Sequence, residues 1–201
     1  MAVAYLDPAA GLLPVSSPTR SEDLPTGSWD PLVRGSRRHR RIDLLSIAEG
    51  FAVSAPAIPE LQEITERSWV LLAVSDLFEA WAIGWPPGGR IELHDHGRSS
   101  GTVVVARGCL TETSLRSTDS GVPHIATHHV AAGEHRRFGP GYIHDLLNEG
   151  DGPAISVHVY SPKLATMAYY EMGPADRVRL VRTEDVPPVG PFDVTSDHDP
   201  S

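Results

Sequence analysis

The stretch from Phe78 to Glu184 is divided into many short apolar segments, and this division constrains the fold more than any other feature. Segments such as FEAWAIGW, GTVVVARG, AISVHVYSP and RVRLVRTE are rich in β-branched or aromatic residues, and Gly, Pro, Asn and Asp separate them. Many short strands at close spacing are typical of a sandwich or a small barrel. Because no helical crossover lies between the segments, the strands are predicted to be antiparallel. The sequence therefore predicts an all-β fold, a small β-barrel or jelly roll.

The two ends of the chain differ from this central part in composition. Residues 1–40 are rich in Pro, Ser, Gly and Arg without a clear period, and they are predicted to be a disordered extension. Residues 186–201 are predicted to be a flexible tail for the same reason. Residues 41–185 are predicted to form a single domain.

A short helical cap is predicted at the start of that domain, over residues 42–67. The segment RIDLLSIAEGFAV places four apolar residues near one face of a helix: Ile42, Leu45, Ala48 and Ala52. The segment PAIPELQEITERSW follows, and its prolines suit the start of a second short helix.

Charge argues against two classes of partner. The formal net charge of the 201-residue chain is −9, whereas nucleic acids and anionic membranes attract basic surfaces. The basic run RGSRRHRR, from Arg34 to Arg41, is the local exception, and it is interpreted as a solvated linker. We therefore expect neither a nucleic acid nor a membrane as a partner, and we expect a monomer or a small homo-oligomer.

Cysteine usage and hydropathy predict the compartment. Cys109 is the only cysteine, so no internal disulfide can form and a reducing environment is favoured. The N-terminal residues make a poor signal peptide, and no apolar stretch approaches the roughly 18–20 residues that cross a bilayer. A cytoplasmic location is expected.

Two histidine-bearing segments are candidates for a metal site. In ELHDHGRSSG, His94 and His96 are two residues apart, and on a strand such residues face the same side. The alternative is an exposed polar pair on a solvated edge. In the second segment, GEHRRFGPGYIHDLLNEG, the tight-turn sequence GPG leads into a short strand that carries His144.

The order and spacing of these segments resemble the two motifs of the cupins. Gly89, HDH and Gly108 match the first motif, while Gly133, Gly141, His144 and Asn148 match the second, with Gly139 where proline is usual. The slot that usually holds a glutamate ligand falls on Gly101. A divalent metal held by three neutral imidazoles keeps its full charge, which favours an anionic, chelating substrate. Three histidines also bind zinc, although Fe(II) is the expected metal.

A third stretch makes the resemblance narrower. In AISVHVYSP, Ser156, His158 and Tyr160 alternate with apolar residues and share one face of a strand. Together with HDH and a single distant His144, this Ser-x-His-x-Tyr-Ser-Pro pattern resembles the cysteine dioxygenase family of thiol dioxygenases over roughly residues 65–172. The resemblance implies that Fe(II) is bound by three histidines, His94, His96 and His144. It also implies that L-cysteine is oxidised by O2 to the sulfinate, with Ser156, His158 and Tyr160 as an outer relay.

Two positions depart from the pattern of that family. Animal members have a cysteine at the slot of Gly101 that forms a thioether with the relay tyrosine, whereas many bacterial members have glycine; Tyr160 is therefore expected to be unmodified. The family also carries an arginine, in Tyr-x-Arg, that holds the substrate carboxylate, and here that slot falls on Leu71. Arg67 and Arg98 are the two candidate replacements, and a site with neither of them is the third possibility.

Three functions remain open on the sequence. The first is a dioxygenase for cysteine, and the second is a dioxygenase for another small thiol acid such as 3-mercaptopropionate. The third is a metal-binding cupin that binds a small ligand without turnover. The polar row of Ser156, His158 and Tyr160 weighs against the third, because simple binding needs no proton-handling relay.

Overall fold

A computed structural model describes residues 5–7, 11–13, 42–116, 123–174 and 177–188. Strands β1 (Tyr5–Asp7) and β2 (Gly11–Leu13) pair with each other in antiparallel fashion. They fall within the range that was predicted to be disordered. The rest of that range and residues 189–201 lie outside the described residues, so both terminal predictions stay predictions.

The N-terminal cap contains one α-helix, α1 (Leu44–Ser54), which contacts strands β6 and β11 defined below. The second predicted helix is replaced by two single 3-10 turns, Ala55–Ala57 and Pro59–Leu61. Proline has no N–H to donate and obstructs the preceding helical turn, so Pro56 and Pro59 permit only short turns here. Among the described residues, no helix has the length and apolar character needed to cross a bilayer.

The rest of the domain is made of strands in two antiparallel sheets, which confirms the predicted all-β class. The bounds are β3 Ser68–Val74, β4 Glu79–Trp85, β5 Arg90–Asp95, β6 Ser100–Arg107, β7 Cys109–Arg116, β8 His124–Ala131, β9 His135–Phe138, β10 Ile143–Leu147, β11 Ala154–Ser161, β12 Thr166–Met172 and β13 Val178–Asp185. One sheet has the order β13-β12-β5-β10-β7-β8, and the other has the order β3-β4-β11-β6-β9. Strand β3 was not predicted, because the helical cap was expected to end at residue 67 and the first predicted strand segment begins at Phe78.

The strands are apolar towards one end of the barrel and polar towards the other. A buried cluster, here called the apolar end, draws on both sheets and consists of Trp85, Val105, Leu110, Val130, Leu146 and Ala154. Further along the same strands, buried polar residues replace the apolar ones, as at His94 in β5 and His144 in β10. Because buried polar groups are costly unless they have partners or bind something, the polar end is the place to look for a site.

Candidate metal centre

Three histidines converge at the polar end of the barrel. His94 lies in β5, His96 directly follows that strand, and His144 lies in β10, where it pairs with His94 in the antiparallel register. Directly opposed residues in such a pair project from the same face of the sheet. One ring nitrogen from each histidine lies within 4.8 Å of the others, and all three side chains are buried. The structure therefore brings together the three histidines that the sequence analysis singled out.

The spacing of the ring nitrogens suits the binding of one ion. His94 Nδ1 lies 2.7 Å from the carbonyl oxygen of Glu92, to which it donates, so its Nε2 keeps a lone pair. That Nε2 lies 3.1 Å from His96 Nε2. Two nitrogens bound to one ion at about 2.0–2.1 Å would be about 2.8–3.4 Å apart for angles between square and tetrahedral.

Two buried ring nitrogens in the cluster also lack a protein partner. Within the described part of the chain, neither His144 Nε2 nor His96 Nδ1 has a hydrogen-bond partner. Leaving a buried polar atom unpaired costs about 1–3 kcal/mol. A metal bound to His144 Nε2 removes that cost at the position where the other two imidazoles converge.

The protonation state of His94 and His96 favours metal binding as well. Burial lowers the pKa of both His94 and His96 well below the ordinary value, and the charges of neighbouring imidazoles add to the effect. Neutral imidazole is the form that offers a lone pair to a metal. The residues present therefore fit a divalent transition metal.

A buried carboxylate, Glu112, orients the third histidine. Glu112 lies in β7 with only 1% of its surface exposed, and His144 Nδ1 is 2.8 Å from its Oε1. Arg136 in β9, from the opposite sheet, donates its Nε–H to Oε2 at 2.6 Å. Burial alone would raise the pKa of Glu112, but the hydrogen bonds and charges of His144 and Arg136 hold the pKa of this carboxyl below its ordinary value. The row Arg136–Glu112–His144 thus fixes the ring so that Nε2 points away from the carboxylate.

The polar row of β11 faces the histidines from the other sheet. Ser156 Oγ lies 2.8 Å from His158 Nε2, and His158 Nδ1 lies 3.2 Å from the hydroxyl of Tyr160. The ring centroids of Tyr160 and His96 are 5.0 Å apart. The three polar side chains are therefore joined in one hydrogen-bonded row that ends beside the cluster.

The chain matches one known protein family over most of its strand-rich part. The family model for cysteine dioxygenase type I matches residues 60–172, which is more than half of the chain. The chain belongs to the cysteine dioxygenase type I family. Membership of that family and the three-histidine cluster together support a metal-dependent function of the dioxygenase type.

Three solved structures resemble parts of this cysteine dioxygenase family member at low sequence identity. An oxalate oxidase in complex with glycolate is 24% identical, covers 50% of this chain and 53% of its own, and has a TM-score of 0.43. A Klebsiella pneumoniae protein with a double-stranded β-helix domain is 22% identical, with coverages of 53% and 81% and a TM-score of 0.44. A cupin-superfamily sugar phosphate isomerase from Silicibacter pomeroyi is 23% identical, with coverages of 58% and 76% and a TM-score of 0.43. The match thus spans about half the length of the oxalate oxidase chain.

Gly101 lies beside the relay tyrosine in this family member. It is paired with Tyr160 in the β6–β11 register, and a Cβ added there would overlap the ring of Phe138 and lie 2.8 Å from the carbonyl oxygen of Val159. Phe138 stacks on His96 with a centroid distance of 4.6 Å and an interplanar angle of 22°. The absence of a side chain at position 101 thus leaves room for the ring that packs on a histidine of the cluster.

The two candidate arginines have different surroundings. Arg67 is half-buried, its guanidinium carbon lies 5.6 Å from the ring centroid of Trp69 and 5.7 Å from that of Trp85, and its Nη1 donates to the carbonyl of Arg90 at 2.9 Å. Arg98 is exposed in the turn after the ligand pair. Arg67 also acts on the site, since its charge adds to burial and to the charge of His144 in lowering the pKa of His94 and His158.

The remaining histidines and Cys109 lie outside the cluster. His124, His129 and His135 are exposed, His128 is half-buried, and Cys109 is an exposed free thiol. Cys109 is exposed because it stands at the start of β7, directly after Gly108, where the strand leaves the turn. His39 and His198 lie outside the described residues.

Sequence reasoning missed Glu112, Arg136 and Trp85 as parts of the site. A signal for Glu112 was present, because the alternation of CLTETSLR places this carboxylate on the same strand face as Leu110, which is buried. An acidic residue in a core-facing position needs a partner. Which residue would be that partner was not visible, since His144 and Arg136 come from other strands.

Proposed function

We propose that the protein is a non-haem Fe(II) thiol dioxygenase that oxidises L-cysteine to cysteine sulfinate with O2. The observation that carries this proposal is the placement of three buried imidazoles opposite a hydrogen-bonded Ser156–His158–Tyr160 row. Family membership supports the same chemistry. His94, His96 and His144 are assigned as the residues that hold the metal.

The overall reaction balances without a further co-reactant. A thiol, R–SH, and O2 combine to give the sulfinic acid, R–SO2H, so both oxygen atoms go to sulfur. Sulfur loses four electrons and O2 gains four. Fe(II), when bound, supplies the redox chemistry that allows O2 to react with a thiol.

The protein's own groups position the substrate and handle protons. Tyr160 offers a phenol, which can donate a hydrogen bond to a substrate carboxylate or a reacting oxygen atom. His158 is held neutral, because burial and the charges of His144 and Arg67 lower its pKa to about 3. A neutral ring next to the phenol can orient it without adding a charge to the site.

Arg67 is the candidate for binding the substrate carboxylate, rather than Arg98. Its charge already acts on His94 and His158, and its guanidinium lies 5.6 Å from the ring centroid of Trp69 and 5.7 Å from that of Trp85. Stacking on aromatic faces orients a guanidinium, and the planar fork of its N–H groups matches the geometry of a carboxylate. Arg98 has no such support because it is exposed.

Arg67→Met is expected to raise the KM for cysteine by about 10–100-fold, since a hydrogen bond to a charged group contributes about 1.5–3 kcal/mol. Steady-state O2 uptake measures the change. Cysteamine, which has no carboxylate, should show little change, and the matched variant Arg98→Met should stay within about twofold of the wild type. A rise in KM for Arg98→Met alone would assign the carboxylate to Arg98 instead.

Tyr160→Phe is expected to lower kcat by about 10–100-fold while leaving the iron content unchanged, because the phenol lies beside the cluster and does not hold the ion. O2 uptake and metal analysis of the same samples measure both quantities. The control is Tyr170→Phe. The hydroxyl of Tyr170 is not part of the row, and it donates to Asp95 at 2.6 Å. Equal loss of turnover and of iron would show that Tyr160 supports metal binding itself.

A second candidate substrate is another small thiol acid such as 3-mercaptopropionate. The residue Leu71 favours this second candidate, because it occupies the position at which the family carries its carboxylate-binding arginine. The protein is loaded with Fe(II) without oxygen, and O2 uptake is then followed with L-cysteine, 3-mercaptopropionate and cysteamine. Sulfinate formed in proportion to O2 supports a dioxygenase, and the preferred thiol distinguishes the two substrates. Absence of uptake with every thiol would leave a ligand-binding protein without turnover.

A further inference from the structure

The three histidine rings of the cluster are not held in the same way. His94 Nδ1 lies 2.7 Å from the carbonyl oxygen of Glu92. His144 Nδ1 lies 2.8 Å from Oε1 of Glu112. His96 is equally buried, but in the described part of the chain its Nδ1 has no hydrogen-bond partner. Because a ligating histidine almost always donates its other ring N–H to an acceptor that fixes the ring, the orientation of His96 needs a different cause.

One aromatic ring lies nearly parallel to the ring of His96. Phe138, at the end of β9, stacks on it with a centroid distance of 4.6 Å and an interplanar angle of 22°. The other rings listed around His96 are inclined to it by 41° to 81°, and they belong to His94, His144 and Tyr160. Phe138 is 6% exposed, so the stack is part of the close-packed interior. A parallel ring in such packing resists rotation of the imidazole, because turning would drive the imidazole edge into the phenyl face.

Phe138 reaches this position because residue 101 is glycine. Gly101 is paired with Phe138 in the β6–β9 register, and a Cβ at position 101 would overlap the phenyl ring. The stack therefore depends on an aromatic ring at position 138 and on the absence of a side chain at position 101. Strands β6 and β9 belong to the sheet that does not contain β5, so the stack ties His96 to the opposite sheet.

We propose that Phe138 is a positioning residue that orients His96 by stacking, in place of the hydrogen bond that orients each of the other two histidines. Stacking supplies orientation but no acceptor for the ring N–H, so His96 lacks the increase in ligand basicity that such an acceptor gives. This role of Phe138 rests on the metal site of the proposed function, and it concerns how the site is held rather than which thiol is oxidised.

The hydrogen bonds of the three rings can be compared by NMR in wild-type protein that is labelled with 15N-histidine and loaded with Zn(II). Nuclear Overhauser contacts to Tyr169 identify the ring of His94, and contacts to Tyr142 identify the ring of His144. The Nδ1–H proton of His96 should resonate upfield of the other two, because a hydrogen bond to oxygen moves such a proton downfield. The phenyl ring should also shift the carbon-bound protons of His96 upfield.

Phe138→Leu keeps an apolar side chain but removes the flat face. The affinity for Zn(II), measured by competition against a chromophoric chelator, is expected to fall by about 2–12-fold, which corresponds to ordering one released side chain on binding. The carbon-bound ring protons of His96 should move downfield, whereas those of His94 and His144 should stay in place. A loss of packing volume alone would not single out His96 in this way.

The matched control is Tyr142→Leu, which removes an aromatic ring 5.3 Å from the ring of His144. Its Zn(II) affinity should stay within about twofold of the wild type, because the hydrogen bond to Glu112 still holds His144.

Three results would overturn the inference. An N–H proton of His96 as far downfield as the other two would show that a hydrogen bond orients this ring, and that measurement needs no variant to fold. Unchanged Zn(II) affinity and unchanged His96 signals in folded Phe138→Leu would exclude Phe138 as the positioning residue. An equal loss of affinity in Tyr142→Leu would assign the effect to packing around the whole cluster. A failure of the metal site itself would appear separately, as an absence of Zn(II) binding by the wild type.

Discussion

His144→Ala is expected to lower the affinity for a divalent metal by about 10²–10³-fold and to reduce thiol oxidation to background. Structural zinc sites with four ligands are worth about 10–16 kcal/mol, so one imidazole contributes about 2.5–4 kcal/mol. His144 Nε2 is buried, has no partner among the described residues and belongs to the cluster of three ring nitrogens within 4.8 Å. Anaerobic Fe(II) titration and Zn(II) competition against a chromophoric chelator measure the affinity.

The matched control for this variant is His135→Ala, because His135 is exposed at the start of β9. Its metal affinity should equal that of the wild type. Retention of wild-type affinity in His144→Ala would exclude His144 as a ligand and would remove the basis of the proposed function. The same loss in both variants would mean that the measured metal is bound without specificity.

Glu112→Gln is expected to lower the metal affinity by about 10–100-fold, the range for outer partners of ligating histidines. The carboxylate accepts from His144 through one oxygen and from Arg136 through the other. A glutamine has only one acceptor oxygen, so its amide would leave a donor facing either His144 or Arg136. The substitution also removes the negative charge that strengthens His144 as a ligand. The same titrations measure the effect, together with the unfolding midpoint of each protein.

A double variant separates the two roles of Glu112. If Glu112 served only to neutralise Arg136, Glu112→Gln with Arg136→Met would restore the affinity to the wild-type value. If the negative charge of Glu112 strengthens metal binding by His144, as we expect, the double variant keeps the lowered metal affinity even where its stability recovers. Glu171→Gln is the control for loss of a carboxylate, because Glu171 is exposed and pairs with Arg179 on the surface.

The strand pattern allowed much of the fold to be predicted. Segments such as AISVHVYSP and GTVVVARG were predicted as strands and became β11 and β6. The pattern did not reveal β3, because WVLLAV is uniformly apolar and a short apolar run does not distinguish a strand from a buried helix. The prediction of a second cap helix was wrong for a local reason, because proline is favoured both at the start of a helix and in a single turn.

The candidate site was predictable where its members lie two residues apart on one extended segment. His94 with His96, and Ser156 with His158 and Tyr160, follow from the period of two along an extended chain. Leu71 and the two arginines were ambiguous, because the side to which Arg67 turns depends on Trp69 and on Trp85 of the neighbouring strand.

By itself the sequence determined which residues share a face, because the alternation of side chains is a property of the backbone within one strand. Only the tertiary structure decided which faces meet. The pairing of His144 with His94, the reach of Arg136 across the barrel to Glu112 and the bond from Trp85 to Ser156 all join residues from separate strands. Those contacts depend on sheet register and on the packing of one sheet against the other, and neither is encoded in the period of a single segment.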